Sequence, residues 1–246
     1  MFKYKIVIEY DGTRFYGWQV QKNLSTIQGE IESALWQLTK KNITIYSASR
    51  TDSGVHALGQ VAHFQLQKLY KTNEIQGALN HYLKDKQIVV INTKIVSPEF
   101  NARFSNKKKQ YIYKIINRSS PLTLDSNRAW HIRSTLNISL MKEASQYLIG
   151  TFDFTSFRAA RCQSKSPIKT LSNIEVIKKD NEISIIFDGT SFLYKQIRII
   201  VGTLRDFGIK RNLPSYMKYI LRGKNRKLSG ETAPSCGLYL NKIFYN

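Results

Sequence analysis

The sequence predicts an α+β protein in which one β-α-β-β-α-β order occurs twice. Three observations carry that reading. Strand-like and helix-like hydrophobic periods follow one another in this order over residues 4–96. The same order returns over residues 111–244. A polar, basic junction at residues 105–109 separates the two halves.

In the first half, residues 4–10 alternate and are rich in β-branched side chains, which reads as a strand. Ser25 or Thr26 can cap a helix, and Ile27, Ile31, Leu35 and Leu38 follow at helical spacing. Residues 43–48 and 57–66 read as strands, the second with Ala62, Phe64 and Leu66 on one face. Thr72 opens a second helix with Ile75, Leu79 and Tyr82 on its stripe, and residues 88–96 close the set as a strand. In the second half, residues 111–117 are a strand and 140–148 a helix. Residues 171–178 and 182–188 are strands joined by the polar turn Lys179-Asp180-Asn181. Residues 192–207 form a helix with Leu193, Ile197, Val201 and Leu204 on one stripe, and 238–244 are the last strand. Residues 151–168 and 208–236 interrupt this pattern as insertions.

The halves share a pattern and no obvious identity. The expected architecture is two ferredoxin-like units (split βαβ, RRM-like) side by side, covering 1–105 and 106–246. They would form one extended, mostly antiparallel sheet with helices on one face and a central cleft.

Composition narrows the partner. The 246 residues carry 38 Lys plus Arg against 17 Asp plus Glu, a net charge of +21, which points to a polyanion such as nucleic acid. The bland source of the same charge is drift toward A/T-rich codons, since the chain is rich in Ile, Asn and Lys. The densest run, Lys107-Lys108-Lys109, reads on its own as a solvated linker. No apolar run approaches the roughly 18 residues of a membrane span, and no basic amphipathic helix suggests a membrane surface. Two cysteines, Cys162 and Cys236, cannot build a disulfide scaffold or a four-thiolate zinc site. The strand pattern starts at once after Met1, so a cytoplasmic protein without a leader is expected.

The chemistry concentrates in Ser49-Arg50-Thr51-Asp52-Ser53-Gly54-Val55-His56, which joins the second and third strands. Asp-Ser-Gly alone is ordinary turn chemistry. The company is not ordinary. With Ala57 and Gly59-Gln60-Val61, this stretch resembles the active-site signature of tRNA pseudouridine synthases of the TruA type. Further blocks agree in order. Asp11-Gly12-Thr13 with Gly17-Trp18-Gln19 and Gln21 is similar to the family's first loop, and Thr26-Ile27-Gln28 to the start of its first helix. Phe100-Asn101-Ala102-Arg103-Phe104-Ser105 is similar to its interdomain RNA-contact segment, and Tyr111 and Tyr113 fall in its second-domain strand. Phe152-Asp153-Phe154-Thr155-Ser156-Phe157-Arg158, then Phe192-Leu193 with Ile197-Arg198 and Val201-Gly202, match two later blocks. Ala233-Pro234 and Gly237-Leu238-Tyr239-Leu240 match the last. Ser49 stands where the family usually has Gly, Val20 where it often has a basic residue, and Gln110 likewise.

The resemblance implies isomerisation of uridine to pseudouridine at positions 38, 39 and 40 of the tRNA anticodon stem-loop, by a homodimer without cofactor or metal. It implies that the central cleft binds RNA and that Asp52 is the catalytic carboxylate. Attack at C6, attack at C1′ and removal of a 2′ proton all stay open for it. Arg198 is implied as the cation supporting that carboxylate. Arg50 would flip the base or hold a phosphate, and Tyr111 would contact the uracil. Arg103 and Arg158 are implied as tRNA contacts. His56 and His63 have neither helical nor Cys/His metal spacing, and Cys162 reads as a small filler. Two other readings compete: a non-catalytic RNA-binding protein retaining the fold, and a thiol-dependent uridine methyltransferase. The first should have lost Asp52 or Arg198, and the second needs a cofactor pocket and a positioned Cys.

Overall fold

The computed structural model describes residues 1–210 and 212–245. It is a mixed α+β protein with ten strands and five α-helices among the described residues. The chain divides into two compact units, Met1–Lys107 with Tyr239–Asn246, and Lys108–Leu238. The junction falls within the polar stretch read from the sequence. The last strand was read with the second half, yet from Tyr239 onward it belongs to the first unit.

The first unit runs β1 (Phe2–Tyr10), α1 (Ile27–Thr39), β2 (Tyr46–Ser47), β3 (His56–Leu66), α2 (Thr72–Leu83) and β4 (Ile88–Val96). The sheet order is β4-β1-β3, with β2 also on β3, all antiparallel. Alternation on β1 buries Tyr4, Ile6, Ile8 and Tyr10 and leaves Lys3, Lys5 and Val7 partly exposed. The α1 stripe buries Ile27, Ile31, Ala34 and Leu35, and the α2 stripe buries Ile75, Leu79 and Leu83. Each fully buried large aliphatic side chain contributes about 1.5–3 kcal/mol. Thr26 starts α1, its Oγ1 accepting the Gly29 N–H at 3.3 Å. The Glu74 carboxylate accepts the Lys71 N–H at 3.0 Å and fixes the start of α2.

Strand β2 is much shorter than residues 43–48 suggested. Helix side chains take its backbone groups. The Ile45 N–H donates to Glu32 Oε1 at 3.0 Å, and Gln28 Nε2 donates to the Ile45 carbonyl at 3.5 Å. The early part of β3 pairs instead with β10 (Leu238–Phe244), in parallel, at His56 and Ala57. Gly59 permits this approach, because a Cβ there would lie 2.5 Å from the Asn241 carbonyl oxygen.

The second unit holds β5 (Lys108–Asn117), β6 (Trp130–Ile132), α3 (Ile138–Gln146), β7 (Gly150–Asp153), β8 (Ile168–Lys179), β9 (Glu182–Gly189), α4 (Gln196–Lys210) and α5 (Tyr216–Arg222). Its sheet order is β5-β9-β8-β7, with β6 parallel to β5. Lys108 and Lys109 are therefore strand residues, not a solvated linker, and Lys108 Nζ pairs with Asp188 at 3.5 Å. Helix α4 begins four residues later than its stripe suggested. Lys195 takes a φ of 60°, and Gln196 Oε1 accepts the Leu193 N–H at 2.7 Å, so the preceding turn is closed by a side chain.

Two loops of the first unit are bound to each other. Trp18, buried under them, donates its N–H to the Thr51 carbonyl at 3.1 Å. The Gly54 N–H and the Ser53 hydroxyl donate to the Phe15 carbonyl at 3.3 and 3.1 Å. Gly17, at φ 88°, lets the backbones meet, since a Cβ on it would lie 2.6 Å from the Thr51 oxygen and 3.1 Å from the Asp52 carbonyl carbon. Gly17→Ala should destabilise the protein by about 2–4 kcal/mol, from a strained φ and displaced backbone. Gly77→Ala, mid-helix in open space, should stabilise by about 0.5–1 kcal/mol. Urea unfolding of both variants checks the opposite signs.

Candidate active site

Asp52 stands half-buried on the loop between β2 and β3. Its own carbonyl accepts the Val55 N–H at 3.2 Å, closing a turn in which Gly54 takes a φ of 75°. On its other side Thr51 is buried, with Oγ1 2.8 Å from the Tyr10 hydroxyl and its carbonyl taken by Trp18. The backbone is thus fixed immediately before and after the carboxylate-bearing residue. A carboxylate held this way loses little freedom on meeting a substrate, which is what a nucleophile or base requires. Arg50 lies two residues before it on the same loop and is exposed.

Two buried polar side chains on β3 hold this loop, and the sequence reading gave neither a role. Gln60 is 0% exposed, donates Nε2 to the Ser49 carbonyl at 2.7 Å and accepts the Val61 N–H at 3.1 Å. His56 is buried with its ring stacked on Tyr239, centroids 4.7 Å apart. Its Nδ1 accepts the Gly12 N–H at 3.1 Å and lies 3.2 Å from Asp11 Oδ1. His56 therefore pins the first loop to the base of the Asp52 loop. The signal was present: a Gln and a His inside an otherwise apolar strand need partners.

His63 has a structural task too. Burial, with help from Lys3, pushes its imidazole pKa below the usual range. Its neutral Nδ1 accepts the Ala102 N–H at 3.2 Å. This bond ties the segment after β4 to β3. The segment turns on Asn101, whose carbonyl accepts the Phe104 and Ser105 N–H groups. Phe100 packs beside Tyr245, with Lys5 Nζ 5.5 and 5.2 Å from the two ring centres. Arg103 is exposed on this support, its guanidinium 5.4 Å from the Phe104 ring centre.

In the second unit Tyr111 and Tyr113 share the buried face of β5. Tyr111 is 6% exposed and meets Phe192 edge-on at 5.1 Å. Tyr113 is fully buried, and its hydroxyl donates to the Pro234 carbonyl at 2.7 Å. Burial drives the Tyr113 phenol pKa well above its ordinary value, so it stays protonated. Arg198 lies on the first turn of α4, half-buried, with Nε donating to the Ala233 carbonyl at 2.8 Å and its own carbonyl accepting the Ala233 N–H at 3.1 Å. Arg158 donates Nη2 to the carbonyls of Cys162 and Ser164 at 3.0 and 2.6 Å, so its guanidinium braces its own loop. Cys162 Sγ accepts the Tyr194 N–H at 3.4 Å, which gives it a positional role beyond filling space.

Within the first unit the structure gathers Asp52 and Arg50 on one loop and sets Arg103 on the segment after β4. Within the second it places Tyr111 on β5, Arg198 on α4, and Arg158 after β7. The tRNA pseudouridine synthase family model matches residues 6–105 and 144–246. The chain is 49% identical to tRNA pseudouridine synthase A of Ehrlichia canis (strain Jake), over 99% of this chain and 100% of that one. It is 48% identical to the protein of that name from Ehrlichia chaffeensis (strain ATCC CRL-10679 / Arkansas), with the same coverage. It is 45% identical to that of Wolbachia pipientis wMel, again over 99% and 100%. A match of this extent includes the clamped Asp52 loop, its supporting β3 and the C-terminal strand alike, and the chain belongs to the tRNA pseudouridine synthase family.

Proposed function

We propose that the protein isomerises uridine to pseudouridine at positions 38, 39 and 40 of the tRNA anticodon stem-loop, with Asp52 as the catalytic carboxylate. The observation that carries this reading is the Asp52 loop: a half-buried carboxylate on backbone fixed from both sides. The reaction breaks the N1–C1′ bond, turns the uracil and forms a C5–C1′ bond. The C5 proton leaves and N1 gains one, so atoms and electrons balance without oxidant, donor or hydrolysis. The protein's share is to reach a nucleoside taken out of its stack, to supply a carboxylate at the ring or sugar, and to handle two protons.

The other residues take their parts by that logic. Arg198 is the cation that supports the Asp52 carboxylate; its Nε is held by the Ala233 carbonyl, which limits how far the guanidinium can move. Arg50, exposed beside Asp52, enters the space a flipped base leaves or holds its phosphate. Tyr111 contacts the uracil through its ring and hydroxyl, and the Tyr113 hydroxyl donates to the Pro234 carbonyl. Arg103 contacts the tRNA backbone directly. Arg158 serves the tRNA by holding the 162–164 loop in place. The proposal includes a cytoplasmic homodimer that works without a cofactor. The charge of +21 supports a tRNA partner.

Three variants test the reading in a tritium-release assay on tRNA labelled at uridine C5, with no methyl donor added. Asp52→Asn should lower release by roughly 1,000-fold or more while tRNA affinity stays near that of the parent. Release at the parent level would remove Asp52 from its role, and tRNA binding without release by the parent would favour the non-catalytic reading. Tyr111→Phe should lower kcat by about 10- to 100-fold while the ring keeps its packing against Phe192. Tyr113→Phe should cost about 0.5–1.5 kcal/mol in urea unfolding for the lost hydrogen bond to Pro234 and leave kcat near the parent value.

A further inference from the structure

The stretch from residue 207 to residue 230 holds seven Lys or Arg and no Asp or Glu. Helix α5 lies inside it and sorts its side chains sharply. Met217, Ile220 and Leu221 are buried, while Tyr216, Lys218, Tyr219 and Arg222 are exposed. The Tyr216 and Tyr219 rings stack on each other, centroids 5.2 Å apart and planes 23° from parallel, with 43% and 57% of the residues open to solvent. Ser215, Lys218, Tyr219, Arg222 and Gly223 line a shallow groove of about 460 Å³. Lys218 Nζ lies 4.8 Å from the Tyr147 ring centre. The turn that follows adds exposed Lys224 and Lys227. Asp153 pairs with Lys224 at 3.2 Å, whereas among the described residues neither Arg222 nor Lys227 has an acidic partner.

This surface is also stiff. Ser156, fully buried, donates its hydroxyl to the Ile220 carbonyl at 2.6 Å and accepts the Asn225 N–H at 2.9 Å. The Ser229 hydroxyl donates to the Ser156 carbonyl at 2.6 Å. Arg226 is spent inside the turn, on Ser229 and Thr232. The later part of the helix and its turn are thus fastened at Ile220, Asn225 and Ser229 to one buried residue, which gives the outward side chains a fixed base.

We propose that α5 and the turn after it form a second RNA-binding surface, in which Lys218, Arg222 and Lys227 hold phosphates and the Tyr216–Tyr219 pair stacks on a base. Exposed cations that are not all neutralised by acids, Asp153 pairing only with Lys224, fit a phosphate backbone. An exposed ring face between cations fits an unstacked nucleobase, the combination single-stranded RNA sites use. A lipid surface fits less well, because the aliphatic side chains of α5, Met217, Ile220 and Leu221, are buried and its exposed rings are tyrosines set among cations. The ligand follows from the tRNA reading above; none of these residues has a part in the proposed chemistry.

The test uses the full chain and an unmodified tRNA transcript. Binding is followed by fluorescence anisotropy between about 50 and 200 mM salt, and activity by tritium release. The triple variant Lys218→Ala, Arg222→Ala, Lys227→Ala should weaken tRNA binding by about 10-fold or more and reduce the slope of log K against log salt by about 2. The activity loss should sit in KM and not in kcat. Tyr219→Ala should weaken binding by roughly 5- to 10-fold without moving the slope, and Tyr219→Phe should restore it. Circular dichroism shows whether each variant keeps the fold. Folded variants with parental affinity and slope would overturn the proposal, even with the parent fully active. A parent that makes no pseudouridine while the variants lose affinity as expected would sink the reaction reading and leave this surface standing.

Discussion

The close contact of the loop after β1 with the loop before β3 is the constraint on which the rest of the first unit depends. Asp52 lies on a hairpin connection, a kind of segment that is ordinarily mobile. Here the Thr51 carbonyl is held by Trp18 and the Gly54 N–H by Phe15. Gly17 is what lets two backbones come this near, and Trp18 fills the space beneath them. One glycine at positive φ and one buried aromatic thus convert a turn into a fixed mount. The same contact explains why the first loop carries so many distinctive residues although no acid or base of the proposed chemistry sits on it.

The mount has a second layer in β3. A strand buried as fully as this one would normally be apolar throughout. Instead it carries Gln60 and His56, each with its polar atoms used on loop backbone. Leaving one such group without a partner would cost about 1–3 kcal/mol. The network therefore favours the one loop conformation that satisfies it. The second unit uses the same device differently. Ala233 and Arg198 exchange hydrogen bonds, and Gly202 permits a close approach, since a Cβ on it would overlap the Glu231 carbonyl. The long insertion after α4 is thereby drawn back against the helix that bears Arg198.

What was legible in the sequence was what rests on periodicity. The alternation of β1 and the stripes of α1 and α2 put Tyr4, Ile6, Ile31 and Leu79 in the core, where they are found. What escaped was decided by partners far along the chain. Residues 43–48 have strand composition, yet Gln28 and Glu32 claim the Ile45 backbone and leave a strand of two residues. Strands β6 and β7 are three and four residues long, too short to show a period. The start of α4 followed Gln196, a side-chain bond invisible to a hydrophobic stripe. At the site, Asp52 and its loop were legible through the family signature. The work of His56 and Gln60 was not, because it depends on which backbone groups a strand meets. Arg158 shows the converse: its residue type suggested RNA, and its geometry shows first a brace for its own loop.

The charge can now be read residue by residue. Codon drift adds lysines without regard to place, and some here do have local duties. Lys108 pairs with Asp188, Lys86 with Glu30, and Lys5 sits against Phe100 and Tyr245. Some acids are spent the same way, as with Asp206 and Glu231 on Arg205. Drift does not account for the α5 stretch. Lys218, Arg222, Lys224 and Lys227 are exposed, the stretch itself holds no acid, two tyrosines are stacked in the open, and the backbone beneath is tied to a buried serine. Holding two rings about half in water forgoes part of the burial energy they would gain in a core. That arrangement makes physical sense when a flat, negatively charged polymer covers it.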